Sequence, residues 1–232
     1  FHGLNLSYEV KEGLKKHSTP WDSPNCESSF ISGEAQIANL ADEIAYNNHD
    51  IDDGLRAELF TIEDLREIPL VGRIFEDVSQ EFAGVDVSRR INEAVRRLIG
   101  AMVDDLIVET SRRVALLAPK NVTDIRLHDQ PVAGFSDEMR ENDAAIKGFL
   151  FPNMYRHYKL NRMTSKGRRV VKDLFKLLVN EPECLPTNWR DDAHHPGSEN
   201  TARIVADYIA GMTDRYALDE HRRLFDLQAR IS

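Results

Sequence analysis

The sequence predicts an all-α protein, and three observations carry that reading. Apolar residues recur at three- and four-residue spacing over most of the 232 positions, the period of helices that turn one face to a core. No run alternates apolar and polar residues long enough to make a strand. Proline, glycine and short hydroxyl or acidic residues separate the periodic stretches, where helices start and stop.

In chain order, Tyr8 to His17 reads as a short helix, broken by Ser18-Thr19-Pro20 and Asp22-Ser23-Pro24. Ser32 and Gly33 open a strongly amphipathic stretch from Glu34 to about His49. Asp52-Asp53 is expected to cap a further short helix, and Thr61-Ile62-Glu63-Asp64 carries an N-cap signature before Leu65. Helices follow over 69–83 and 87–117, the second with Ser88 as its cap and Arg112-Arg113 near its C-terminal end. Residues 118–136, with Pro119, Asn121, Pro131 and Gly134, read as a loop. Further helices are expected over 137–151, 152–162, 164–180 and 199–228, with Pro152 bending or restarting its segment. The 181–198 connection holds Pro182, Pro186, Pro196 and Gly197.

Composition narrows the function classes. Hydrophobic residues are 41% and charged residues 30%, enough apolar material for a core. The net charge of −9 argues against a general nucleic-acid coat. No apolar run approaches the roughly 18 residues needed to span a bilayer, and nothing at the N-terminus reads as a signal peptide. Two distant cysteines, Cys26 and Cys184, make neither a disulfide framework nor a thiolate zinc site, so a cytoplasmic setting is expected. The chain opens on Phe1 within an apolar-polar pattern and is read as a piece of a longer protein.

The stretch 34–53 holds the chemistry. At about 100° per residue, Ile37, Leu40, Ala41, Ile44 and Ala45 form an apolar stripe. Asp42, Tyr46, His49, Asp50 and Asp53 share the opposite side. Such a strip can be the solvated side of a surface helix. Three carboxylates on one strip nevertheless repel unless a cation or donor answers them, and a tyrosine among them offers a flat surface suited to a sugar ring.

The segment Glu34-Ala35-Gln36-Ile37-Ala38-Asn39-Leu40-Ala41-Asp42-Glu43-Ile44-Ala45-Tyr46-Asn47-Asn48-His49-Asp50 resembles the signature of the deoxyguanosinetriphosphate triphosphohydrolase family, in the HD-domain superfamily. Gly3-Leu4-Asn5-Leu6 with Glu9-Val10-Lys11-Glu12-Gly13, and the stretch from Ala206 to Ala217, resemble the family's flanking helices. The resemblance covers essentially the whole chain and is weakest in 67–145. It implies the C-terminal portion of an HD-type helical protein, with residues 1–66 ending the HD core and 67–232 forming a helical C-terminal region.

It also implies metal-dependent hydrolysis of a deoxynucleoside triphosphate to deoxynucleoside and inorganic triphosphate. By motif position, Asp42 corresponds to the final metal-binding aspartate, and a hard carboxylate oxygen suits Mg, Mn or Fe. Tyr46 and Asp50 match positions that hold the deoxyribose, the aspartate accepting from the 3′-hydroxyl. Lys147 and Tyr155, in Ile146-Lys147-Gly148-Phe149-Leu150-Phe151-Pro152-Asn153-Met154-Tyr155, match a basic residue at the phosphates and a tyrosine filling the place of a ribose 2′-hydroxyl. For Lys147 a solvated surface role, and for Tyr155 ordinary core packing, stay open.

The family's His, His-Asp and further catalytic histidine fall ahead of Phe1, so the chain alone is expected to be inactive. His49-Asp50 is a dipeptide of that kind but stands at the sugar position, and no metal role is expected of His49. A homo-oligomer is expected. The basic run Arg162, Lys166, Arg168, Arg169, Lys172 and Lys176 reads as a solvated face, or as a contact for single-stranded DNA or an allosteric nucleotide. A rival reading is a non-catalytic relative that binds nucleotide or assembles with a partner. Asp207, Asp214 and Arg215 read as structural, and His194-His195 as surface.

Overall fold

A computed structural model describes residues 3–15 and 31–228. The expected breaks at 18–20 and 22–24, the last residues of the first helix, and Cys26 lie outside them. Among the described residues there are helices and no strand. The chain divides into two compact units, residues 1–157 and 158–232.

The first unit contains α1 (Tyr8–Lys15), α2 (Gly33–Arg56), a 3-10 turn (Asp64–Glu67), α3 (Pro69–Glu81), α4 (Val87–Leu117), α5 (Val122–Arg126), α6 (Asp137–Leu150) and a π-helical turn (Phe151–Tyr155). α4 is the spine, with α2 and α3 packed along it and α6 touching both. Ile51, Leu65, Val71, Ala94, Leu98, Met102, Ile146 and Leu150 are fully enclosed in one apolar cluster. Each large side chain there stabilises the fold by about 1.5–3 kcal/mol relative to exposure.

Several ends differ from the sequence reading. α2 does not stop at His49. Asp52 lies inside the helix and pairs with Arg56 one turn on at 2.9 Å, which carries the last turn forward instead of capping a new one. Ser32 does cap the start, its hydroxyl accepting from the Ala35 amide at 3.3 Å. The cap of α4 is Asp86, which accepts from Arg89 N–H at 3.1 Å, and not Ser88. Residues 118–136 are not all loop. Asn121 and Asp124 form a reciprocal capping box that starts α5.

The buried side of α2 is also rotated from the expected stripe. Ile37 is 45% exposed and Ala41 lies in solvent, whereas Gln36, Ile44, Asn47, Asn48, Ile51 and Gly54 are buried. The centre of the buried face is displaced by about 60°. The cause is polar. Gln36 accepts from the Ala133 amide at 3.1 Å, Asn47 donates to Asp143 at 2.9 Å, and Asn48 donates to the Ile44 carbonyl and to the Met102 sulfur. Amides with specific partners inside pull the helix round further than alanine and isoleucine would.

α4 ends as helices often do, on a left-handed residue, but that residue is Ala118 (φ 44°, ψ 54°). A Cβ is strained in this region by about 1–2 kcal/mol, and glycine recovers part of that while adding freedom to the unfolded chain. Ala118→Gly is therefore expected to stabilise the first unit by about 0.5–1 kcal/mol. Thermal denaturation reads this directly, and an unchanged or lower midpoint would contradict it.

The second unit contains α7 (Tyr158–Asn180), a 3-10 turn (Pro182–Cys184), α8 (Thr187–Arg190), α9 (Glu199–Ala210) and α10 (Asp214–Phe225). The expected helices over 152–162 and 164–180 are rearranged. Residues 151–155 form the π-helical turn, the break falls at 156–157, and one helix runs on from Tyr158. The Arg156 amide bonds to both the Phe151 and Met154 carbonyls and so closes the turn. The expected helix 199–228 is two helices, because Thr213 caps a new start by accepting from the Tyr216 amide at 3.3 Å. α9 and α10 both pack on α7 around Leu178, Leu185, Val205 and Tyr208.

Candidate functional site

The outer face of α2 presents Asp42, Tyr46, His49, Asp50 and Asp53, as its periodicity predicts. Asp42, His49 and Asp53 are exposed, Tyr46 is 50% exposed and Asp50 is half-buried. Asp50 is enclosed by a residue 105 positions away. The Tyr155 hydroxyl donates a hydrogen bond to the Asp50 carboxylate, and the Tyr46 and Tyr155 rings stand 6.3 Å apart, tilted by 32°. Three of the sequence-selected residues thus converge.

The π-helical turn makes this possible. Pro152 sits at its start, directly after α6, where its missing N–H interrupts the i→i−4 ladder running on from that helix. The wider turn carries Tyr155 toward α2, and π-helical turns are frequent at functional sites. Burial pushes the Asp50 carboxyl above the usual range, and the hydrogen bond from Tyr155 works against that shift. Burial and then the Asp50 bond raise the Tyr155 hydroxyl. The phenol donates to the carboxyl group, a charge-assisted bond whenever Asp50 is ionised.

Lys147 goes elsewhere. It stands one turn beyond Asp143 on α6, pairs with that carboxylate at 2.7 Å, and reaches across to Glu43 on α2. Burial pushes Asp143 up to about 6 and Lys147 down. The Asn47 amide opposes the shift at Asp143, and the adjacent ammonium acts in the same sense. Glu43, Asn47 and Asp143 were not selected from the sequence. The signal available was Glu43-Asn47-Asp50 at i, i+4, i+7 on α2 facing an i, i+4 Asp143–Lys147 pair on α6. Glu43, Asp143 and Lys147 also line an open cavity of 990 Å³ beside Arg113 and Phe135, which Tyr46, Asp50 and Tyr155 do not line.

Among the described residues, no group of three or more His, Cys, Asp or Glu side chains is placed to hold a metal ion. Asp42 has the right donor for a hard dication, but one carboxylate does not make a centre, since metal sites draw on several protein ligands. These residues by themselves do not fit a metal site. In the second unit, the basic run lies along the exposed face of α7, and His194-His195 is exposed as expected. Asp207 pairs with Arg203 at 2.9 Å, in keeping with a structural part.

Residues 133–223 match the model of the phosphohydrolase-associated domain. The chain is 48% identical to a deoxyguanosinetriphosphate triphosphohydrolase-like protein of Parvibaculum lavamentivorans, over 98% of this chain and 62% of that protein. The chain belongs to the deoxyguanosinetriphosphate triphosphohydrolase-like family. Two further family members, so named in Caulobacter vibrioides and Ralstonia nicotianae, are each 44% identical over 98% of this chain and 62% and 60% of their own lengths. The chain thus spans about three fifths of the family relatives it matches. The phosphohydrolase-associated match begins just before α6 and carries Lys147 and Tyr155, while α2 with Asp42, Tyr46 and Asp50 lies ahead of it.

Proposed function

We propose that the protein hydrolyses deoxynucleoside triphosphates to deoxynucleoside and inorganic triphosphate, and that this chain supplies the sugar pocket and one metal-binding carboxylate. The observation that carries the reading is the convergence of Tyr46, Asp50 and Tyr155 from α2 and the π-helical turn. The relatives' name, with its deoxyguanosine triphosphate, supports the substrate class. A sugar lies against the exposed Tyr46 ring, Asp50 accepts from its 3′-hydroxyl, and the Tyr155 ring fills the place of a 2′-hydroxyl. Asp42 would be one oxygen ligand among several to a divalent ion, and the chemistry such an ion would supply is neutralisation of phosphate charge and activation of water. Lys147 already holds Glu43 and Asp143 with two of its three N–H donors, so contact with a phosphate falls to the third donor or displaces one carboxylate.

The two sugar contacts act differently, and that gives the test. A hydrogen bond to a charged group contributes roughly 1.5–3 kcal/mol. Asp50→Ala in the whole protein is therefore expected to lower kcat/KM on dNTPs by about tenfold to a hundredfold. It should also make a 2′,3′-dideoxy substrate no worse than the normal one. Tyr155→Ala removes a wall, so it should raise the GTP-to-dGTP activity ratio. If Asp50→Ala keeps the wild-type preference for a 3′-hydroxyl and Tyr155→Ala still excludes GTP, the pocket is assigned wrongly.

A further inference from the structure

A solvated lysine is a poor anchor for a phosphate, because its flexible four-carbon stem must be immobilised when the ligand arrives. Lys147 is immobilised beforehand. Its ammonium meets Asp143, one turn back on α6, at 2.7 Å, and Glu43 across on α2. The two acceptors come from different helices, so the ammonium is held from two directions. Asp143 is fixed from behind in turn, its other oxygen accepting at 2.9 Å from the buried Asn47 amide of α2. The Asp143 side chain is 10% exposed and that of Lys147 36%, so the acid lies inside and the ammonium nearer the mouth. Glu43, Asp143 and Lys147 all line the open cavity. An ammonium has three N–H donors, and two are taken.

We propose that Glu43 and Asp143 are positioning residues, a clasp that holds Lys147 in place so that its third N–H donor meets the substrate phosphates. This rests on the dNTP-hydrolysis reading and chooses between the two routes by which Lys147 reaches a phosphate. A phosphate that displaced a carboxylate would gain from the loss of that carboxylate. A phosphate that takes the third donor loses instead, because a freed side chain must then be ordered on binding. For one long side chain that loss is about threefold to tenfold in affinity. The two routes have opposite signs. Tyr46, Asp50 and Tyr155 do not line the cavity that the clasp lines, so a deoxynucleoside without phosphates should not sense the clasp.

The test is a set of double-mutant cycles in the whole protein. It reads kcat and KM on the four dNTPs, and calorimetric binding of the four 2′-deoxynucleosides, which carry no phosphate and are not turned over. Asp143→Asn keeps the oxygen that accepts from Asn47 and sets an NH2 group against the ammonium. It should lower kcat/KM about threefold to tenfold, through KM, and leave deoxynucleoside binding unchanged. Glu43→Gln should do the same, and at 27% side-chain exposure it decides the matter even if Asp143→Asn does not fold. Lys147→Met should lower kcat/KM by more, and in that background neither substitution should lower it again. Unchanged or higher kcat/KM in both Asp143→Asn and Glu43→Gln overturns the clasp. Losses that persist beside Lys147→Met, or that extend to the deoxynucleosides, also overturn it, since the carboxylates then only support the fold. A Lys147→Met protein with wild-type kcat/KM removes Lys147 from the phosphates and the clasp with it, leaving the sugar pocket standing. A whole protein that hydrolyses no dNTP removes the functional reading and the clasp together.

Discussion

Asp42→Asn in the whole protein is expected to lower turnover by at least about a hundredfold and to reduce the metal retained after dialysis. The substitution keeps shape and removes charge. Losing an outer-shell partner of a ligand already costs about tenfold to a hundredfold in metal affinity or activity, and losing the anionic ligand itself costs no less. Asp42 stands on the exposed face of α2, two turns ahead of Asp50, so the change should leave folding alone. Matched melting curves with low activity and low metal content would support the assignment. Near-normal turnover and metal content would mean that Asp42 is not a ligand.

The second large effect concerns stability. A Cβ at Gly72 would lie 2.5 Å from the Arg66 carbonyl oxygen and 2.9 Å from the Arg66 Cα. Those atoms belong to the backbone of the 3-10 turn, so no side chain can swing aside. Overpacking of this kind costs about 1–3 kcal/mol, occasionally more, and helix propensity returns about 1 kcal/mol of it. Gly72→Ala is expected to destabilise the first unit by up to about 2 kcal/mol net, lowering its midpoint by up to roughly 4–8 °C. Gly100, inside α4 with nothing near its would-be Cβ, is the control. Gly100→Ala should be neutral or stabilising, and equal losses in both proteins would refute the steric account.

The sequence made the helices plain because their signals are local. Ser32 sits where a first turn needs an acceptor, and the stretch from Val87 to Leu117 keeps its period without a breaker. The site was legible in part. Asp42, Tyr46 and Asp50 share a face by rotation alone, so their grouping required only that α2 be a helix. The meeting of Tyr155 with Asp50 depends on a π-helical turn, which has no simple periodic signature. The pairing of Lys147 with Glu43 was hidden for another reason. It depends on how α2 is rotated about its axis, and hydropathy aimed that rotation at Ile37 and Ala41 when buried amides decide it.

Those amides bear on how sharply the site is aimed. Apolar side chains pack almost equally well when a helix rolls a few degrees, because the hydrophobic effect has no direction. Hydrogen bonds do. Gln36, Asn47 and Asn48 each hold a fixed partner on another part of the chain or on α2 itself, and Asn48 is wholly enclosed. The bearing of Asp42, Tyr46 and Asp50 is thus locked from behind, by buried residues. The Asn48 side-chain oxygen has no hydrogen-bond partner among the described residues, a standing cost that leucine at that place would remove. A sequence selected for stability alone would drift toward such a leucine, and the compass setting of the face in front would loosen with it.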